Sequence, residues 1–485
     1  MISLSVASGA RSNLVPTSAL YVLVFIAIFY LTPKFELPSD LQILGFTGCC
    51  IIVAVIAVML SRSRAATFEI PVGVGAFIIS IYCARIIYDL GKPALQWVNV
   101  NVEATYGLAV LSTALFSLSF FIGYLAARPK LKGVVGRLRV NEQEILAARR
   151  GSWLLFAIGL CAIAATLVIA GGPLAFISTR GSATAIESVA AIQYTMMLGV
   201  VAAVLRISLS FLPGNPGSST DLRFGLLMAF PVVAITLAEG SRRYALPLLV
   251  GLCISWFIIR RGSIPVLKVA LVAVLGVVLV LLPLESVREG GSDSGGSFAS
   301  AVVRFGGDPA GAFEGLFSSQ STSMLPAFAM AIQDAESAGI DEGLGRYTLA
   351  ETILQPIPQQ IWPGKPESLR NELIEYRYGL SSSGCTSLCP TYGPVSTFYA
   401  DYGLLGATIG GLLIGLFAAW WTKVCFRRGL FGVLAYAGTY WGFLYMWWSS
   451  VSALTIMVLF FGIPLLILAK LTKSSLDKDV PTAIT

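Results

Sequence analysis

Arg242 and Arg243 stand side by side in the short stretch EGSRRY, while Arg180, Lys365, Arg370 and Arg377 sit in other polar stretches between long apolar runs. A guanidinium donates two parallel hydrogen bonds to phosphate oxygens and stays charged at any physiological pH. Cations drawn from several loops can therefore hold a doubly charged phosphate ester. For any single one of them, pairing with a loop carboxylate or a lipid headgroup is the other reading. Two carboxylates accompany the cations. Glu239 directly precedes GSRR, and Asp401 lies between Tyr399 and Tyr402 in FYADYG. At the edge of an apolar span such a group needs either a cation to orient or a proton to move. The chain has no histidine, which removes the commonest general base and the commonest metal ligand. Chemistry falls to carboxylates, cations, tyrosines and backbone.

The longest polar stretch, ETILQPIPQQIWPGKPESLRNELIEYRYG, runs from Glu351 to Gly379. Its prolines fix φ near −65° and bias each preceding residue to extended geometry, so QPIPQQIWPGKP is expected to be a stiff, helix-free strap. The strap presents Lys365 and Trp362, the indole either stacking on a sugar face or resting in the membrane interface. Upstream, SMLPAFAMAIQDAESAG has apolar residues at helical spacing, and TLAETILQPIP reads as a second short helix stopped by proline.

These stretches are set in a strongly apolar chain. Of 485 residues, 56% are hydrophobic and 12% charged, and the mean hydropathy is +0.79, far from the composition of soluble domains. Runs long enough to cross about 30 Å of hydrocarbon begin near Ser18, Leu41, Ile70, Thr105, Trp153, Val189, Arg223, Tyr244, Pro265, Val395, Leu430 and Val451, which predicts about twelve membrane helices. Residues 1–284 are expected to hold the first nine. Residues 285–394 form one large loop, and 395–485 the last three helices with a C-terminal tail. The N-terminal stretch lacks a small-residue cleavage site and reads as a retained anchor.

Most basic residues, including Arg62, Arg64, Arg128, Lys130, Arg149, Arg150, Arg260, Arg261, Lys423, Arg427, Arg428 and Lys470, fall on one side of this layout. The positive-inside rule makes that side cytoplasmic, with both termini on it, and accounts for the net charge of +7 without nucleic acid. The cations named first break this bias, because short translocated loops select against Lys and Arg. Binding an anion at the outer membrane surface explains them, and a lipid diphosphate lies at that height. Arg85 and Arg206, the deepest charges, are expected to snorkel to an interface. Gly406, Gly410, Gly411 and Gly415 have the small-xxx-small spacing that lets a neighbouring helix come close. Six of the eight cysteines sit in or beside apolar runs; Cys385 and Cys389 share a polar loop and can pair as a disulfide.

The many spans, the large loop near the C-terminal end, EGSRRY, IPQQIWPGKP and FYADYGLLGATIGGLLIG together resemble the Wzy-type O-antigen polymerases, which join oligosaccharide repeat units. The resemblance implies an all-α, GT-C-like multi-pass glycosyltransferase of the bacterial plasma membrane. It implies a polyprenyl-diphosphate-linked glycan as substrate, the bilayer as surroundings, a chain-length regulator protein as a possible further partner, and no nucleotide sugar, cofactor or metal. Some members carry an Arg-x10-Gly pattern in two outer loops; Arg304 and Gly315 fit it, whereas Ala191 stands at the matching place after Arg180. Carried over, the arginine role falls on Arg180, Arg243 and Arg377, with Arg242, Lys365 and Arg370 beside them, Glu239 or Asp401 as base, and Trp362 and Tyr399 toward the sugars. An O-antigen ligase shares donor and layout, but the ligases compared carry a histidine in the outer loop. A glycan-lipid flippase would line a central cavity with its cations and needs no long outer loop. A non-enzymatic scaffold would tolerate loss of the outer arginines.

Overall fold

The computed structural model describes residues 56, 59, 69–83, 85–86, 89, 96–97, 100–129, 140–178, 190–239, 244–261, 323–338, 343–355, 357, 362, 364–378 and 392–478. Among these the chain is helical apart from one antiparallel ribbon, β1 (Gln96–Trp97) with β2 (Val100–Asn101). The first group of helices is α1 (Ile70–Ile78), α2 (Glu103–Ala126), α3 (Glu142–Ile169), α4 (Pro173–Ser178), α5 (Ala190–Ser210), α6 (Ser218–Glu239) and α7 (Ala245–Trp256). The second group is α8 (Met324–Ala338), α9 (Arg346–Leu349, prolonged by a wide π turn over Ala350–Leu354) and α10 (Leu369–Tyr378). The last group is α11 (Gly393–Phe426), α12 (Gly429–Tyr445), α13 (Val451–Met457) and α14 (Ile463–Lys478).

Among the described residues, five helical runs are long and apolar enough to cross a membrane: α2, α3, most of α6, α11, and α13 continued through α14. The architecture is thus that of an all-α membrane protein. Helices cover the apolar runs beginning near Ile70, Thr105, Trp153, Val189, Arg223, Tyr244, Val395, Leu430 and Val451. The runs near Ser18, Leu41 and Pro265 lie wholly or largely outside the described residues.

Local chemistry sets the helix ends. Asn141 caps α3 by accepting from the Glu144 amide at 2.6 Å, while the Glu144 carboxylate accepts the Asn141 amide at 3.2 Å, a reciprocal box that satisfies two otherwise orphaned donors. α11 is bent at Tyr402 and Gly403, and Gly403 has φ 59° and ψ −144°, a conformation a side chain resists. A Cβ there would meet nothing nearby, so backbone conformation rather than crowding calls for the glycine.

Packing follows the small residues. α2 runs along α11, α3 and α6 pack on α5, and α7 packs on α12. Gly411 and Gly415 face the carbonyls of Phe116 and Phe120 on α2, too close for any Cβ, as the small-xxx-small spacing predicts. Gly406 and Gly410 do not serve that contact. They meet Phe398 of their own helix across the bend. At the end of the bundle that carries α8–α10, Trp447 is fully buried with its ring edge-on to Phe116 and Phe120, at 5.2 and 6.1 Å between centroids, and its carbonyl accepts the Tyr82 hydroxyl at 2.7 Å.

The two deep arginines do not snorkel; both are buried and paired inside the protein. Arg85 Nε bonds Asp89 at 2.8 Å and its NH1 donates to Ser323 Oγ, while Tyr106 donates to the same aspartate. Arg206 lies 3.0 Å from Asp221, which also takes Arg149 at 2.9 Å. A carboxylate within reach makes internal pairing cheaper than stretching to water. At the far end from α8–α10, Arg128 pairs with Glu69 at 2.7 Å, so some of the basic residues assigned as membrane anchors also tie helices together.

Candidate active site

α9 owes its position to Asp401. This carboxylate, fully buried beside the bend of α11, accepts the amides of Tyr347 at 3.1 Å and Thr348 at 2.7 Å. It caps the N-terminus of α9 from another helix, where negative charge meets the positive end of the helix dipole. Gly343 donates its amide to the Ala400 carbonyl at 3.0 Å, and a Cβ on it would strike Asp401 and Tyr347. Asp401 therefore holds a loop helix by backbone bonds, not an arginine.

α10 follows directly on the proline-rich strap, in a stretch to which no helix is assigned from the sequence. Ser368 supplies the start, its carbonyl accepting the Asn371 amide at 3.0 Å, and Leu369, Leu373 and Ile374 turn inward. Its charges bind its neighbours. Arg377 forms a two-point pair with the buried Asp334 of α8, its Nε at 2.6 Å from Oδ2. Glu372 takes Arg346 and, at 2.6 Å, the Tyr347 hydroxyl. Lys365 donates to the carbonyls of Ile357 at 3.1 Å and Gln355 at 3.5 Å, a cation at the C-terminal end of α9, and partial burial lowers its pKa.

A cavity of about 170 Å³ lies where α9 and α10 meet the ends of α5, α11, α12 and α13. Glu351 and Arg370 are the charged side chains among the described residues lining it. Its polar wall carries Ser368, Asn371, Ser396, Ser449, Ser450 and Ser452, with Tyr392 and Tyr445 beside them. Its floor is Met197, Ile456 and Met457. Glu351 is 5% exposed and accepts the Thr397 hydroxyl at 2.9 Å. Burial pushes its carboxyl up to about 7, against the Thr397 hydroxyl, Arg370 and Ser450, which favour the anion, while the charge of Asp401 adds to the rise.

Of the described residues singled out in the sequence, Arg370 is the one that lines this cavity. Trp362 is 43% exposed, and Tyr399 packs edge-on against Phe328 at 5.6 Å. Glu239 ends α6, and its side chain, like Arg180, Arg242, Arg243, Arg304, Cys385 and Cys389, lies outside what the structure describes. Glu351 escaped notice although a signal was present. Tyr347, Ala350, Glu351 and Leu354 are the buried face of α9 at spacing i, i+3, i+4, i+7, so a carboxylate occupies the apolar stripe of an amphipathic helix.

Residues 17–475 match the family model of O-antigen polysaccharide polymerase Wzy. The chain belongs to this family. No curated protein and no solved structure matches it. Membership in the Wzy family makes the protein a membrane polymerase of O-antigen repeat units, with a lipid-linked glycan as substrate. For a Wzy chain, a polar cavity at the membrane ends of several helices is where a lipid-held sugar can meet protein side chains.

Proposed function

We propose that the protein joins undecaprenyl-diphosphate-linked repeat units on the outer face of the bacterial plasma membrane, by direct glycosyl transfer without a metal. The carrying observation is the cavity that sets Arg370 and Glu351 among hydroxyls at the ends of membrane helices. Diphosphate is already a good leaving group, so catalysis consists mainly of stabilising developing negative charge and positioning an acceptor hydroxyl. Arg370 faces the cavity, and Arg180, Arg242 and Arg243 are proposed to join it from neighbouring loops as the anion cradle. Glu239 is proposed to orient the Arg242–Arg243 pair. Arg377 and Lys365, engaged with Asp334 and with backbone carbonyls, support α10 and α9 under that cradle. Asp401 positions α9. Trp362, exposed on the strap, is suited to a sugar face, and Tyr399 steadies α8 through Phe328. The density of basic residues at the opposite side supports the outward orientation.

Purified protein incubated with its lipid-linked repeat unit is expected to yield a ladder of longer glycans, and Arg370→Ala and Arg243→Ala each to shorten or abolish it. A normal ladder from both variants would remove the anion cradle from the proposal.

A further inference from the structure

Building on the polymerase reading, we propose that the cavity between α9, α10 and α13 is the subsite for the acceptor sugar, and that Glu351 takes the proton from its attacking hydroxyl. The described lining argues for this. Among those residues one acid and one base lie among serines and an asparagine. Apart from Arg370, which belongs to the proposed anion cradle, these hydroxyls and the amide offer a neutral pyranose, whose own hydroxyls both donate and accept, a matching set of partners. Tyr392 and Tyr445 add flat faces of the kind that sugar rings rest on.

Glu351 differs from the other carboxylates nearby in what surrounds it. Asp401 has each oxygen on a backbone amide, and Asp334 is locked to Arg377. Glu351 instead receives hydroxyl hydrogen bonds, which rotate away easily, and it opens on the cavity. A buried carboxylate held, among the described residues, by hydroxyls and not by an ion pair binds a proton near neutral pH, as a general base must. Among the described residues, the groups that bear on its charge are Arg370 from α10, Asp401 and Thr397 from α11, and Ser450 at the start of α13, while the phenols of Tyr392, Tyr445 and Tyr194 line the same cavity.

In the step, the acceptor hydroxyl oxygen bonds to the anomeric carbon of the donor glycan. The bond from that carbon to the diphosphate oxygen breaks, and its electron pair leaves on the polyprenyl diphosphate. The hydroxyl proton moves to the Glu351 carboxylate and from there to water.

The test uses the full chain in detergent with its lipid-linked repeat unit, following initial rates of ladder formation. A wild-type protein that makes no ladder defeats the polymerase reading itself. With a wild-type ladder in hand, Glu351→Gln is expected to slow the rate by about 100-fold or more while leaving the unfolding temperature unchanged or higher. The wild-type rate is expected to rise roughly tenfold per pH unit below about 7 and then to level, with Glu351→Asp keeping part of the rate. Asn371→Ala should raise KM for added lipid-free repeat unit more than it lowers kcat. A Glu351→Gln rate within a few-fold of wild type, or a flat wild-type profile between about pH 5 and 8, overturns the proposal, and the pH profile decides the matter alone should the variant fail to fold.

Discussion

Asp221 and Glu351 are both buried carboxylates in a bundle of membrane helices, and their surroundings could hardly differ more. Asp221, at the end of the molecule away from the loop helices, is ringed by Arg149 at 2.9 Å, Arg206 at 3.0 Å and the Asn215 amide at 2.9 Å. Glu351 has hydroxyls around it and a cavity in front, with its carboxyl pushed up to about 7 by burial. A saturated carboxylate cross-links α3, α5 and α6; an under-saturated one remains able to exchange a proton. The same side-chain chemistry forms a strut at one end and faces a cavity at the other because of the donors aimed at it among the described residues.

The sharpest way to break this contrast is to remove each charge. Asp221→Ala leaves the buried Arg206 unpaired beside the half-buried Arg149 and is expected to cost about 3 kcal/mol, read as a large fall in unfolding temperature in detergent. Loss of the Glu351 charge by substitution to Gln should do the reverse or nothing, and a comparable fall there would erase the distinction.

Stability against pH sharpens it further. The Glu351 carboxyl titrates near 4.5 when unfolded and near 7 when folded, so between those values the folded state holds the extra proton. Stability is therefore full below about 4.5 and declines as pH rises toward 7, by about 3 kcal/mol in all. That is opposite in sign to an arginine-paired carboxylate. Unfolding temperatures measured across this window should slope downward for the wild type and flatten in Glu351→Gln. A smaller effect is expected at Asp401. Its replacement by Ala strips the cap from α9 at a cost of about 1–2 kcal/mol, visible as faster proteolysis between α8 and α10 before any change in the rest of the bundle.

Much of the membrane architecture was legible beforehand. Apolar runs near Thr105, Trp153, Val395 and Val451 became long helices because a 3.6-residue backbone with every amide satisfied internally is the one open chain form a bilayer accepts. The tight approach of Gly411 and Gly415 to α2 was likewise written in their spacing. Other features were not. Arg85 and Arg206 looked like snorkelling cations; the i, i+4 spacing of Arg85 and Asp89 was a signal left unread, whereas no pattern along the chain brings Asp221 to Arg206. α10 was hidden behind prolines that end just before its first turn.

What the sequence determined by itself was the class of molecule, an all-α membrane chain, because hydropathy acts locally and sums along the chain. Tertiary structure alone decided which charges became struts and which became a site. Asp401 and Glu351 are 50 positions apart, and the docking of α9 on the bend of α11 is what turns the first into a cap and the second toward a cavity. Whether a carboxylate is saturated depends on donors brought from distant helices, and such distances are set by packing, which no local pattern encodes.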